Sequence, residues 1–276
     1  MRPFSGFILR PSFGFIINHS LAVFLLLTLA ACSSETVLNA DNPAKTPSVE
    51  VMYNDAKKHL NDNSFEEAIK QFESLQSHYP YGRYAQQAQL EIAYAYYRQN
   101  EAESAIAAAD RFIKQYPNNP HVDYAYYVKG LANFNADIGL FGLAFGQDPT
   151  ERDPKAAHDS FTAFKDLVTR FPSSKYTPDS RLRMQYLLSA LAKYEIHVAG
   201  YYMRRGANIA AVNRAKEVLT QFPNTAAIHD ALLILVQGYD ALGMKELRDD
   251  AKRVLDKNFP QTASPKYIYQ GQLDSQ

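Results

Sequence analysis

Tryptophan is absent from the 276 residues, and cysteine occurs once, at Cys32. A single cysteine excludes an intramolecular disulfide and a cysteine zinc cluster. Net charge is missing too: 29 basic side chains face 29 acidic ones, so no global field draws the chain to nucleic acid, and any basic patch is local. Catalytic signatures are also lacking. The chain has no Gly-x-Ser-x-Gly elbow, no glycine-rich phosphate loop with its lysine and no zinc-protease helix. Its histidines, at 19, 59, 78, 121, 158, 197 and 229, never fall at metal-ligand spacing, so they read as surface or capping residues. Glu195 and His197 stand two apart, which on a helix points them in different directions. The expectation is a chain that is not an enzyme and carries neither metal nor cofactor. What is plentiful is aromatic surface, 19 tyrosines and 16 phenylalanines, which suits packed helices with adhesive faces.

The N-terminus has the order of a secretory signal: Arg2 and Arg10 with no acid before Glu35, then an apolar run over residues 21–31, then Cys32. As a helix that run would reach about 16 Å at ~1.5 Å per residue, against a hydrocarbon core of roughly 30 Å, so it is too short to span a membrane. Leu29-Ala30-Ala31-Cys32 resembles the lipobox of bacterial lipoproteins. That resemblance implies cleavage before Cys32 and lipidation of its thiol, the one side chain nucleophilic enough for a thioether. Ser33, in place of the aspartate that commonly signals inner-membrane retention in this class, implies export to the outer membrane. The segment 4–17 is long and apolar for the charged region of a signal, and no methionine lies between Met1 and Met52. A shorter start would need another initiation codon, and the mature product would be the same. Domain boundaries follow: a signal peptide over 1–31, a lipidated N-terminus and polar linker over 32–46, a repeat domain over 47–260 and a disordered tail over 261–276.

Within the repeat domain an aromatic-proline pair recurs at Tyr79-Pro80, Tyr116-Pro117, Phe171-Pro172, Phe222-Pro223 and Phe259-Pro260, at spacings of 37, 55, 51 and 37. Upstream of each pair, apolar residues at steps of three and four mark one helix face, as in Phe65, Ala68, Phe72, Leu75 and Tyr79. Proline then stops the helix. A partner helix precedes each one, carrying Leu90, Ala93, Tyr94 and Tyr97 in the second copy. Two antiparallel helices with a closing proline cannot bury their faces alone and must stack. The predicted fold class is all-α, an α-solenoid of five helical hairpins. It resembles the tetratricopeptide repeat, whose small residue twelve positions before the proline is matched by Ala68, Ala105, Ser160 and Ala211. The departures are the 37-residue period, against about 34 in that family, and Arg248 at the small position of the fifth copy. The two long spacings predict insertions: an apolar loop at Gly139-Leu140-Phe141-Gly142-Leu143-Ala144-Phe145-Gly146, with Asp153-Pro154 reading as an N-cap and N1 proline, and one long helix from about Thr177 to Arg205.

Without chemistry to assign, binding surface remains. Tyr53, Tyr94, Tyr97, Tyr126 and Tyr127 lie on the first helices of their units, where some pack as core and others are candidates to grip an extended peptide. Arg204, Arg205, Arg214 and Lys216 flank Gly206-Ala207-Asn208. They read either as a solvated face or as a partner-binding cluster, arginine being suited to a carboxylate.

Taken whole, the chain resembles the BamD family of outer-membrane lipoproteins, part of the β-barrel assembly machinery of Gram-negative bacteria. The match is carried by Leu29-Ala-Ala-Cys32, by Tyr79-Pro-Tyr-Gly82 with Ala-Tyr-Tyr at 95–97, by Arg152-Asp-Pro154, and most specifically by Leu191-Ala-Lys-Tyr-Glu195 continuing to Tyr201-Tyr202, Arg205-Gly206 and Val212-Asn-Arg214. The resemblance implies a lipid anchor at Cys32, attachment to the outer membrane facing the periplasm, and a scaffold rather than a catalyst. Implied partners are a BamA-like insertase with accessory lipoproteins at the C-terminal units, through Arg214 with Arg205, Arg204 and Tyr194. Unfolded β-barrel precursors are implied at the N-terminal units, through Tyr94, Tyr97, Tyr126 and Tyr53. The competing reading is an envelope lipoprotein that binds peptidoglycan or serves DNA uptake, against which the neutral charge weighs weakly.

Overall fold

A computed structural model describes residues 47–138 and 154–260, the side chains of 136–138 excepted. Cys32, the signal and linker segments, the 139–146 loop, Asp153 and the 261–276 tail lie outside the described residues.

Among these residues ten helices occur. They are α1 (Val49–Asn61), α2 (Phe65–His78), α3 (Arg83–Arg98), α4 (Ala102–Gln115), α5 (Val122–Ile138), α6 (Lys155–Arg170), α7 (Thr177–Arg204), α8 (Asn208–Gln221), α9 (Ala227–Ala241) and α10 (Lys245–Asn258). Each packs on its neighbours in sequence, and α1 on α3, α3 on α5 and α7 on α9 also touch, which is the stacking of helical hairpins. None is long and apolar enough to cross a membrane.

The even-numbered helices end alike. Tyr79, Tyr116, Phe171, Phe222 and Phe259 each sit at the C-cap with φ between −126° and −133°. Each donates its N–H to the carbonyl four residues back, at 2.8 to 3.0 Å. Proline at the next position forbids helical backbone before it, so chain direction changes at one place in every unit. Four of the hairpin turns share a second device: Asn63, Asn100, Gly206 and Gly243 have φ of 59°, 61°, 73° and 70°. The residue after each closes a six-to-one bond, as in Ser64 N–H to His59 O (2.9 Å) and Met244 N–H to Tyr239 O (2.9 Å). This is the Schellman termination, which needs a left-handed residue and so takes asparagine or glycine.

The small-residue position lies where helices meet. Ala68, Ala105, Ser160 and Ala211 are all 0% exposed. Ser160, forced to be polar there, donates its hydroxyl to Gly130 O at 2.9 Å. Opposite it, a Cβ built on Gly130 would stand 2.4 Å from Phe164, so α5 and α6 approach to a distance only glycine permits. Arg248 keeps its guanidinium at the surface, bonded to Asp240 and Asp249, each at 2.8 Å. The long helix is observed as α7, 28 residues or about 42 Å. Pro154 sits at the N-cap of α6 rather than at N1, a shift of one residue from the sequence reading.

Candidate functional site

Two grooves on the described surface concern α7: one takes its N-cap residue, Tyr176, and the other residues from within it. The first, about 610 Å³, is lined from α1, α3, the start of α5 and the turn into α7. At its base Glu91 is 6% exposed. Its Oε1 accepts from Lys57 Nζ at 2.7 Å, Gln87 Nε2 at 3.1 Å and the Tyr53 hydroxyl at 3.2 Å. Three donors thus converge on one oxygen of a buried side chain, as a polar group inside the stack requires. Burial, then the nearby Glu91 carboxylate, pushes the Tyr53 phenol well above the usual tyrosine range, and the same two causes raise Tyr124.

Along this groove the tyrosines form a run. Tyr94 lies 6.3 Å from Tyr97 and 6.4 Å from Tyr124. Tyr124 lies 5.3 Å from Tyr176, which stacks on Tyr127 at 4.6 Å. The Tyr127 hydroxyl donates to Asp179 at 2.8 Å, and Arg183 Nε donates to the same carboxylate at 2.6 Å, tying α5 to α7. Burial, then that bond to Asp179, pushes the Tyr127 phenol up to about 12.

The sequence candidates divide here. Tyr94 lines the groove, its hydroxyl accepting from Arg98 at 2.8 Å. Tyr97 packs half-buried between two apolar clusters, and Tyr53 is tied to Glu91 with its ring against Phe72 and Tyr84. Tyr126 lines neither of these two grooves: it is 8% exposed, with its ring 5.8 Å from Phe171. Neighbours on a helix diverge by about 100°, so Tyr124 and Tyr127 share the face that Tyr126 turns away from. The sequence reading missed Tyr124, Tyr176, Lys57, Glu91, Arg98 and Lys175. The i, i+3 relation of Tyr124 to Tyr127 was the available signal for the first; the others depend on neighbouring repeats.

The second groove, about 700 Å³, lies among α6, α7 and α8. Arg214 lines it, but not as a free cation: its Nη1 donates to Glu195 Oε1 at 3.2 Å and Oε2 at 3.0 Å. Glu195 is 9% exposed, and its hydrogen bond holds the guanidinium even more firmly charged. His158, Phe161 and Lys165 from α6, Leu188 and Leu191 from α7, and Asn213, Glu217 and Gln221 from α8 also line it, and none was anticipated as a site residue. Arg204 and Arg205 are exposed where α7 ends and do not line it; Arg205 folds over Tyr201, Nε to hydroxyl 3.3 Å. Tyr194 is half-buried beside Glu195, and Lys216 is exposed. The arginine cluster is thus one engaged residue in a groove and two on a neighbouring surface.

Comparison with known proteins places this architecture. A family model described as outer membrane lipoprotein (YfiO) matches residues 45–254. A relative from Neisseria meningitidis serogroup A, called outer membrane protein assembly factor BamD, is 41% identical over 251 residues, covering 91% of this chain and 94% of the relative. Proteins of the same name from Xylella fastidiosa (36% over 253 residues, 91% and 85% covered) and Vibrio cholerae (34% over 233 residues, 84% and 95% covered) are also similar. With more than two thirds of its length matched and the helical hairpins in place, the chain belongs to the outer-membrane lipoprotein family that includes the BamD assembly factors.

Proposed function

We propose that the protein is a non-enzymatic scaffold of outer-membrane protein assembly, lipid-anchored through Cys32 to the outer membrane and facing the periplasm. In this reading the first groove receives unfolded β-barrel precursors. The second, around Arg214, docks a BamA-like insertase, with accessory lipoproteins completing the assembly. The name shared by its relatives supports the role. The observation that carries the division of labour is the presence of two chemically different grooves, one at the N-cap of α7 and one along it. One presents Tyr94, Tyr124 and Tyr176; the other sets Phe161, Leu188 and Leu191 beside charged side chains, among them an arginine held in place by a buried carboxylate. Aromatic rings offer broad contact at low entropic cost, suited to varied extended segments, whereas a preoriented guanidinium suits one defined acidic partner.

The test is purification of the tagged, lipidated chain from membranes in mild detergent. A BamA-like barrel protein is expected to co-purify, Arg214→Glu to abolish that association and Tyr94→Ala to preserve it. Absence of the barrel protein from the wild-type preparation, or its retention by Arg214→Glu, refutes the docking assignment.

A further inference from the structure

The turn between α2 and α3 departs from the other turns that follow a helix-ending proline. After the proline come Asn118, Ser173 and Asn224 in the next three units, but Tyr81 in the first. The position after that is polar in the later units and ties the turn. Asn119 Oδ1 accepts the His121 amide at 2.8 Å, Ser174 Oγ accepts the Tyr176 amide at 3.2 Å, and Thr225 Oγ1 donates to Phe222 O at 2.9 Å. In the first unit it is Gly82, at φ 94°. Small polar residues therefore suffice to build this turn, and the Tyr81 ring does not serve folding: it is 89% exposed, more than any other large apolar side chain described. Pro80, Gly82, Arg83 and His78 are exposed around it, and no acidic residue lies between Glu73 and Glu91. Arg83 stacks on the Tyr84 ring at 4.8 Å and donates Nη2 to its hydroxyl at 3.1 Å, with no ion pair among the described residues. An aromatic tip with a polar hydroxyl, beside a cation without a carboxylate, is the chemistry of a surface that meets lipid headgroups.

The place of this turn in the chain supplies the second observation. The rings of Tyr53 in α1 and Tyr84 in α3 lie 5.3 Å apart, so the two helices start side by side. The Tyr81 turn therefore stands at the end where the chain enters the repeats. Fourteen residues, 33–46, separate Cys32 from that entry, at most about 50 Å of contour. Helices α1 to α4, of 13 to 16 residues, put the hairpin turns at Asn63 and Asn100 at the opposite end, about 20–24 Å off. A lipid on Cys32 thus tethers the Tyr81 end, and a contact too weak to hold the protein by itself gains from the tether because it becomes intramolecular.

Resting on the reading of Cys32 as the lipid anchor, we propose that the turn of residues 79–83 is a second membrane contact. Tyr81 enters the headgroup layer of a phospholipid bilayer, and Arg83 pairs with the phosphates of anionic lipids. The lipid holds the protein to the membrane; the turn decides which end of the first repeats faces it.

The absence of tryptophan makes the test direct. The full lipidated chain carrying Tyr81→Trp is reconstituted into vesicles of phosphatidylethanolamine and phosphatidylglycerol, with and without bromine on the acyl chains near the headgroup. Its emission is expected to shift to the blue and to lose about half its intensity in the brominated vesicles. Glu103→Trp, exposed at the opposite end, should show neither change. Arg83→Gln, added to Tyr81→Trp, should reduce the quenching in these vesicles and leave it unchanged when phosphatidylcholine replaces phosphatidylglycerol; no reduction in either overturns the pairing with phosphate. An unquenched indole at position 81 of lipidated protein, or equal quenching at both positions, overturns the membrane contact and leaves the anchor standing. An indole shielded only when other proteins co-purify overturns it in favour of a protein partner. If mass spectrometry of the chain purified from membranes finds no lipid on Cys32, the anchor reading and the proposal fall together.

Discussion

Removing the Arg214 guanidinium should destabilise the α7–α8 hairpin because it strands a carboxylate. Glu195 keeps 12% of its side-chain surface, and among the described residues its ion pair is to Arg214, at 3.0 Å. A hydrogen bond to a charged group contributes about 1.5–3 kcal/mol net, and breaking a fully buried ion pair costs about 3–5 kcal/mol. Arg214 itself is 43% exposed, so water screens much of the interaction, and Arg214→Leu is expected near the lower bound, about 1.5 kcal/mol. Glu195→Gln, which removes the charge and frees Arg214 to solvent, should cost about 0.5–1 kcal/mol. Because the two effects share one interaction, the double variant should fall short of their sum by about 1 kcal/mol. Urea unfolding followed by circular dichroism gives all three values, and hydrogen exchange in α7 and α8 shows whether the loss is local. Additive single costs would refute the reasoning, and Arg214 would then be a surface residue with no structural duty. The charge swap Arg214→Glu with Glu195→Arg completes the set. It rebuilds the internal pair while moving the guanidinium, so stability should recover and insertase association should not.

Other expectations follow from single positions. Gly130→Ala places a Cβ 2.4 Å from the fully buried Phe164 ring; overpacking of about 1–3 kcal/mol should exceed the ~1 kcal/mol helix-propensity gain, giving a lower urea midpoint. Gly206→Ala, at φ 73° with open space around it, should cost about 1–2 kcal/mol through backbone strain alone, and Gly206→Asn should recover part of the loss. The Tyr53, Tyr124 and Tyr127 phenols are raised in the folded state. They contribute stability that is fully present below the ordinary tyrosine value of about 10. For Tyr127 that stability is lost as pH rises from there through about 12, and for the other two at still higher pH. Absorbance titration near 295 nm should therefore show these phenols ionising only as the chain unfolds.

The stops were the most legible feature of the fold. An aromatic residue before proline constrains backbone on both sides of one bond, so five even-numbered helix ends followed from composition at a point. The hairpin turns carried an equal signal that the apolar pattern hides: Asn63, Asn100, Gly206 and Gly243 each stand 17 residues before their proline, whereas the corresponding position of the third unit is Lys155, the first residue of α6. Site residues were less legible. Helical periodicity places Tyr94 and Tyr124 on a face but does not say which of several tyrosines the next hairpin covers, so Tyr126 and Tyr94 look alike in one dimension. Arg214 showed as a cation, while its partner Glu195, on the preceding helix and across a turn, gave no pattern of its own.

The continuity of α7 has a consequence for how these lipoproteins can diverge. Tyr176, at the start of this helix, lines one groove and Glu195 the other, with no glycine or interior proline between Thr177 and Glu195 apart from Pro178 in the first turn. One inserted or deleted residue in that stretch would turn everything beyond it by about 100° and shift it by about 1.5 Å, rotating one docking direction against the other. This stretch of α7 must therefore keep its length if the two grooves are to hold their relative orientation.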